Sequence, residues 1–473
     1  MKKRTLICLI LAGLLTASCG TSVPGGDTAG DTTTAEPEIP YLETLGEKDF
    51  GGKTFTILGV HYAARPNFAD EAMTGEVVND ALAKRDSYIS EKYNVNLEFV
   101  VQGGSGATAP LVKQSVLADE DNYNLAIDTI AGAFAPLVTQ GILMDMNSLP
   151  TLDLSREWWS PMMYENTTLD GKMYVTMGDI APQKYYAPYA LCFNVQQAEK
   201  YQLPDLYQMV LDGKWTLEQF GKMSKDVTYD LDGNGTIDYN DFYGFARPNT
   251  GTSGLAFITG AGGRPCTIEN NEIVMNINNE RTLDIAQKVF AQLDMTGIKE
   301  HNTETNAANN EMFKSGRALF YGNSLSVAIA EFREMEDDFG IIPVPKYDEA
   351  QDGYCAYINT WCLGGSAVPA TVQDTEMTGF IMEALCYKSY EDVRPALYEV
   401  VIKQKVSRDD ATAQVLDIIY DNTYLDFNGI YDFAGSQNFI GDVAIGNKEF
   451  ASGYAAIEPA MIEAMEKFRE QLS

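Results

Sequence analysis

Between residues 53 and 131 the hydrophobic period changes four times, and few folds accommodate that order. "KTFTILGV" (53–60) alternates β-branched and aromatic residues as a strand does. In "GEVVNDALAKRDSYISEKYNV", Val77, Val78, Ala81, Leu82, Tyr88 and Ile89 recur at helical spacing, and "VNLEFVV" then reads as a second strand. A helical stretch near Leu111 to Leu117 precedes a third strand, "YNLAIDTIA". Strands joined through helices lie parallel with right-handed crossovers, and their ligands gather beyond the carboxyl ends of the strands. Those ends are His61 to Tyr62 and Asp128 to Phe134. An α/β fold with a crevice at these points is therefore expected.

The amino terminus predicts export. "MKKRTLICLILAGLLTASCG" has Lys2, Lys3 and Arg4, then an apolar run from Leu6 to Leu15, then small residues before Cys19. The run is about half the roughly 20 residues of a spanning helix, which favours a cleaved segment over an anchor. "LTASC" resembles the bacterial lipoprotein signal, with Thr16 where that signal usually has Leu; Cys19 would then carry lipid and hold the protein on a membrane. Residues 20–40, rich in Gly, Ser, Thr, Pro and acid, read as a flexible tether. The chain holds 34 Lys and Arg against 67 Asp and Glu, a balance that makes nucleic acid an unsuitable partner. With only His61 and His301, a His-rich zinc site or paired-histidine catalysis is excluded. Cys192, Cys266, Cys355, Cys362 and Cys386 show no CxxC spacing and read mostly as buried small side chains, with one disulfide not deducible.

A second α/β region begins near "YALCFNV" and includes "GKWTLEQFGKM" and "FKSGRALFYGNSLSVAIAEF"; the chain after "TWCLGGSA" is largely helical. "WTLEQF" carries a helix start, with Thr216 as N-cap and Gln219 three residues on. Next comes "DLDGNGTIDYND" (230–241). Asp230, Asp232, Asn234 and Asp238 fall at positions 1, 3, 5 and 9 of the calcium-loop template, Gly235 at the sharp turn and Asp241 at position 12. Such carboxylates repel by roughly 4 kcal/mol per close pair at an effective dielectric of about 20, so a structural Ca2+ is expected, with Thr236 giving its backbone carbonyl. A sensor needs a helix on both sides, whereas "FYGFARPNTGTSG" follows, poorly suited to one. "TGAGGRP" lacks the Walker Lys-Ser/Thr and reads as a tight hairpin or a close backbone approach.

In order and spacing, "GKTFTIL", "AIDTIAGAFAPLVTQGILMDM", "GKWTLEQF", "FKSGRALFYGN" and "FGIIPVPK" resemble the solute-binding lipoproteins of ABC importers, in the group that includes many oligosaccharide binders. The resemblance spans most of residues 50–473. It implies a periplasmic-binding-protein-like fold: two α/β lobes joined by hinge strands, with ligand in the cleft between them. The expected layout is a signal peptide at 1–18, a lipidated Cys and tether at 19–45, one lobe from 46–185 and 360–405, and the other from 186–359 and 406–473. Crossings are placed near Gln183 to Tyr189 and Tyr357 to Trp361.

A sugar offers apolar faces and a rim of hydroxyls, so its site needs aromatic platforms and a few polar groups. The candidates at the expected cleft are Tyr62, Phe134, Tyr186, Tyr189, Tyr321, Asn323 and Trp361; Tyr185 and Asn359 lie beside them. Asp128 is placed either against ligand hydroxyls or as the cap of a neighbouring helix. The implied protein is a monomer that is not an enzyme: it captures a carbohydrate, an oligosaccharide, and passes it to an ABC permease from the outer face of the membrane. Two other readings stand beside this one. A peptide or amino-acid importer component would show a charged clamp in its cleft; a surface-anchored carbohydrate enzyme would turn its ligand over, and no hydrolase motif singles out a carboxylate pair.

Overall fold

A computed structural model describes residues 41–61, 67–69, 73–225, 227–294, 305–332, 335–403 and 410–472. The expectations for the signal segment, Cys19, Tyr62 and His301 lie outside the described residues. Twelve strands are described: β1 (Lys53–Val60), β2 (Val95–Gln102), β3 (Leu125–Thr129), β4 (Tyr189–Asn194), β5 (Tyr243–Ala246), β6 (Cys266–Glu269), β7 (Glu272–Met275), β8 (Ala318–Ser324), β9 (Phe339–Ile342), β10 (Ala356–Tyr357), β11 (Gly364–Ala367) and β12 (Thr423–Tyr424). They build a two-lobed α/β fold, each lobe on its own four-stranded sheet.

The first sheet runs β11-β3-β1-β2, with β1 parallel to both β2 and β3. The helix Val77–Tyr93 connects β1 to β2; its N-cap Glu76 accepts from Asn79 N at 2.7 Å, and Asn94 ends it in the left-handed conformation, φ 47°. Gly59 is required in β1 because a Cβ there would sit 2.2 Å from the ring of Phe68. β3 stops at Thr129, earlier than "YNLAIDTIA" suggests, and Ile130–Phe134 forms a wide helical turn. The cause is tertiary: Ile130 N donates to Leu363 O at 3.0 Å and Ala131 N to Thr360 O at 3.4 Å, so the returning chain takes donors that a longer strand would have used. β11 then closes the sheet edge antiparallel to β3.

The second sheet runs β5-β8-β4-β9. β4 is antiparallel to both its neighbours, and β5 is parallel to β8. The helix Leu217–Lys225 starts as expected, with Gln219 N on Thr216 Oγ1 at 3.4 Å, and Trp215 before it is fully buried with Nε1 on Pro343 O at 2.9 Å. "FYGFARPNTGTSG", expected to be poorly suited to a helix, enters the helix Gly251–Gly260 with its last four residues. Packing overrides propensity here. The helix is buried apart from Thr252, and a Cβ at Gly254 would lie 2.0 Å from Gly441 O, so only glycine lets it meet the helix Phe439–Ala444. In "TGAGGRP", Gly262 turns the chain at φ +84° and Gly263 packs against Ile258.

Three segments join the lobes side by side. Pro188 bridges Ile358, Asn359 N donates to Ala187 O at 3.2 Å, and β10 pairs with β12. The sequence pointed to the first two; the third, at Thr423–Tyr424, was not anticipated. In the first lobe Glu383, fully buried on the helix Thr375–Lys388, accepts from Trp158 Nε1 and Trp159 Nε1 at 2.8 Å each, Tyr41 Oη at 3.0 Å and Asp153 N at 3.2 Å. All five body cysteines are free, four of them buried. Among the described residues no helix is long and apolar enough to cross a membrane.

Candidate functional site

Where β4 leaves the hinge, the Tyr189 ring crosses the neighbouring strand β8 at Gly322, where a Cβ would stand 2.8 Å from its hydroxyl. Burial pushes the Tyr189 hydroxyl well above the usual phenol range and keeps it protonated. Beyond Tyr189 the chain emerges from the carboxyl end of β5 through Arg247 and Pro248 into the helix Gly251–Gly260. Tyr189, Pro248, Thr250, Thr252, Ser253, Asn306, Asn323, Asn359 and Trp361 enclose a pocket of about 300 Å³. Its walls are amides, hydroxyls, one proline and two aromatics.

A chain of hydrogen bonds fixes this wall. Tyr321, fully buried beneath the pocket, donates to Asn310 Oδ1 and accepts from Asn323 Nδ2 at 2.8 Å. Asn323 Oδ1 accepts from Ser324 N at 2.7 Å, Asn359 Nδ2 donates to Ser324 Oγ at 3.3 Å, and Asn359 Oδ1 accepts from Trp361 N at 3.1 Å. The backbone of Trp361 is thereby tied to the end of β8, while its indole remains 52 % exposed. Asn323 spends its oxygen on the backbone and one donor on Tyr321, which leaves an N–H for a ligand hydroxyl, whereas Asn359 Nδ2 is taken up by Ser324 Oγ and by Cys362 Sγ at 3.6 Å.

Trp361 also borders a second pocket of about 670 Å³, lined from the turn after β3 by Ala131, Ala135 and Pro136 and from the carboxyl-terminal part by Tyr431, Phe433 and Gln437. Asp432 and Ala434 hold φ of 46° and 55° in this wall, a left-handed backbone that only Gly adopts without cost. Gln437 Nε2, on Gly429 O at 2.9 Å, and Thr360 Oγ1, on the same oxygen at 2.6 Å, lock that turn to the residue before Trp361.

Tyr189, Asn323 and Trp361 are thus brought together, with Tyr321 one hydrogen bond behind them. Three other expected contacts stand elsewhere, and each has a physical reason. Asp128 is fully buried and accepts from Gly106 N at 3.0 Å, Thr108 N at 3.1 Å, Thr108 Oγ1 at 2.7 Å and Thr129 N at 2.6 Å, so it serves the alternative role, tying down the start of the helix Ala109–Leu117. Phe134 is fully buried in the core below the turn that ends β3. Tyr186 packs with Val78, Leu82, Val393 and Leu397 in a separate apolar cluster. Thr250, Thr252, Ser253 and Asn306 were missed, although the rule applied to the first sheet, that ligands collect at carboxyl ends of strands, points to the chain after β5.

The acidic loop lies apart from the cleft. One carboxylate oxygen each of Asp230, Asp232 and Asp241 falls within 4.8 Å of the others. Asp241 is fully buried and accepts from Leu231 N and Asp238 N at 2.7 Å each; Asp230 accepts from Gly233 N at 2.6 Å and Gly235 N at 2.8 Å. The backbone N–H of Gly235 is the largest influence holding the Asp230 carboxyl below its usual range. Thr236 N and Oγ1 both donate to Asn234 Oδ1, and the Asn234 amide lies 3.4 Å from Asp238 Oδ2, so these three face one another beside the cluster. The loop is followed by β5 rather than by a helix, which is not the helix–loop–helix of a sensor.

Residues 89–385 match the family described as bacterial extracellular solute-binding protein. Among solved structures the chain is similar to the maltose/maltodextrin-binding domain MalE from Bdellovibrio bacteriovorus bound to maltotriose, at 16% identity and TM-score 0.53 over 88% of this chain and 100% of that one. It is also similar to a cyclo/maltodextrin-binding protein complexed with maltotetraose, at 15% identity and TM-score 0.55 over 89% and 98% of the two chains. The GacH receptor of Streptomyces glaucescens GLA.O, solved unliganded and with acarbose, gives 14% identity and TM-score 0.54 over 89% and 98%. No curated protein matches the chain. At these identities the likeness establishes a shared two-lobed fold.

Proposed function

The chain belongs to the bacterial extracellular solute-binding protein family, and from that premise we propose that it captures an oligosaccharide in its cleft and passes it unchanged to an ABC permease. The observation that carries this reading is Trp361, an indole half open to solvent that borders both pockets and is flanked in the smaller one by neutral amides and hydroxyls. An indole face suits the apolar side of a pyranose, and amides suit its hydroxyl rim. Two pockets meeting at one platform suit a chain of sugars rather than a single ring. A free amino acid or short peptide would want a carboxylate for its amine; the smaller pocket's wall has none, and the larger pocket has Asp432 together with Lys467.

In this mechanism the three joining segments act as the hinge. Ligand bridges both lobes only when the cleft is closed, so its binding energy shifts the open/closed equilibrium, and the permease recognises the closed form. A micromolar affinity corresponds to about −8 kcal/mol, within reach of stacked rings and a few hydrogen bonds after the cost of closure. Lipid on Cys19 and the tether of residues 20–40 would hold this receptor at the outer face of the membrane, a monomer beside its permease. Calcium, held by Asp230, Asp232 and Asp241 with Asn234, Thr236 and Asp238 completing the shell, would brace the second lobe ahead of β5.

The test is a thermal-shift and calorimetry panel of mono- and oligosaccharides, amino acids and short peptides on the purified protein. Stabilisation by oligosaccharides, with a smaller radius of gyration in solution scattering, is expected. Stabilisation by amino acids or peptides and by no saccharide would refute the reading.

A further inference from the structure

Arg247, directly after β5, is 1 % exposed and lies under the floor of the smaller pocket. Its Nη1 donates to Pro248 O at 2.8 Å, the oxygen that also accepts from the pocket residue Ser253, and approaches Asn249 Oδ1 at 3.5 Å. Its Nε and Nη2 have no hydrogen-bond partner, and among the described residues no carboxylate pairs with it. Asp442 acts on it from a distance but is paired with Lys448 at 3.1 Å. A buried guanidinium with two idle donors and no counter-ion is costly unless something else supplies the negative charge.

Two further observations point toward the pocket as the source of that charge. Tyr189, which lines the pocket and feels the Arg247 charge, has its buried hydroxyl beside Ser253, whose own proton goes to Pro248 O. The pocket wall contains no Asp or Glu, in a chain that carries 67 of them. An anion entering there meets no lining carboxylate, and repulsion from acids elsewhere is screened beyond about 8 Å at physiological salt.

We propose that the cleft selects a saccharide bearing a carboxylate, a uronate, whose charge accepts the Tyr189 hydroxyl proton in a hydrogen bond while Arg247 behind it supplies the counter-charge. This rests on the saccharide reading above and narrows it. Tyr189 is the contact and Arg247 a positioning residue, which raises the field at the contact without touching the ligand. The free N–H of Asn323 serves a neutral hydroxyl beside the carboxylate.

Calorimetry on the purified full chain with matched pairs tests this: oligogalacturonates and glucuronate-containing oligosaccharides, each against its methyl ester, at two salt concentrations. In any pair that binds, the acid should bind at least tenfold tighter at neutral pH, and the preference should shrink as the sugar carboxylate protonates in acid. Arg247→Met should bring the ratio to within about twofold. Should that variant fail to fold, Tyr189→Phe carries the same test. Equal binding of acid and ester by the unaltered protein would overturn the proposal and leave the saccharide reading standing, and would mean that buried waters satisfy Arg247. Tighter binding of sulfated or phosphorylated analogues than of uronates would overturn the carboxylate assignment. If no saccharide binds, both readings fall.

Discussion

Replacing Trp361 with Ala removes the platform on which both pockets depend. A tryptophan side chain presents on the order of 200 Å². With 52 % of its surface exposed in the structure, roughly 100 Å² is free for a ligand to cover, and at about 25 cal/mol per Å² this is worth about 2.5 kcal/mol. A pyranose covers one face rather than the whole, which brings the expected loss to about 1.5–2.5 kcal/mol, or roughly 10- to 70-fold in Kd. The other half of the indole rests on protein, so the variant also loses some stability, a few degrees of Tm at most in a chain of this size. Isothermal titration with the tightest oligosaccharide found, beside a melting curve, separates the two effects. Trp361→Phe should retain part of the affinity. A folded Trp361→Ala protein with Kd within twofold of the original would refute the assignment of the platform.

Other expectations concern stability. Chelation with EDTA should lower Tm and calcium should restore it; Asp241→Asn should abolish that response, whereas an unchanged Tm in both states would argue against the ion. Glu383→Gln turns one acceptor oxygen into a donor facing two existing donors, and should cost about 2–5 kcal/mol in urea unfolding. Burial raises the Asp426 carboxyl from 3.8 to about 7, so between those values the folded state holds a proton that the unfolded state has released. Stability should therefore be greatest below pH ~4, fall by about 4 kcal/mol as pH rises to ~7, and not change further through this residue. Asp426→Asn should remove that slope, as read by chemical denaturation at pH 4 and pH 7.

Much of the first lobe was legible because its strands and helices announce themselves by period, and the structure places β1, β2 and the helix Val77–Tyr93 where that period does. What escaped depended on contacts between distant residues. Nothing in "GTSGLAFITG" signals a helix until Gly441 lies against Gly254. The end of β3 is decided by carbonyls at 360 and 363. For the site, position along a strand was readable but direction was not. Asn323 and Trp361 open into the pocket, while Phe134 and Tyr186, equally near the expected crevice, turn into apolar clusters. Arg247 gave no signal in the sequence, since its significance lies in what it fails to pair with.

The chain has four tryptophans, and the environments described above divide them unevenly. Trp158 and Trp159 are buried with their N–H groups on Glu383, and Trp215 is buried on Pro343 O, whereas Trp361 stands half in water at the cleft. Red-edge emission of the protein should therefore come from this one residue. A ligand seated against it would move that emission to shorter wavelength and shield it from iodide, while the other three contribute a constant background. The receptor thus contains its own optical indicator of occupancy, readable without a label and before the identity of its solute is known.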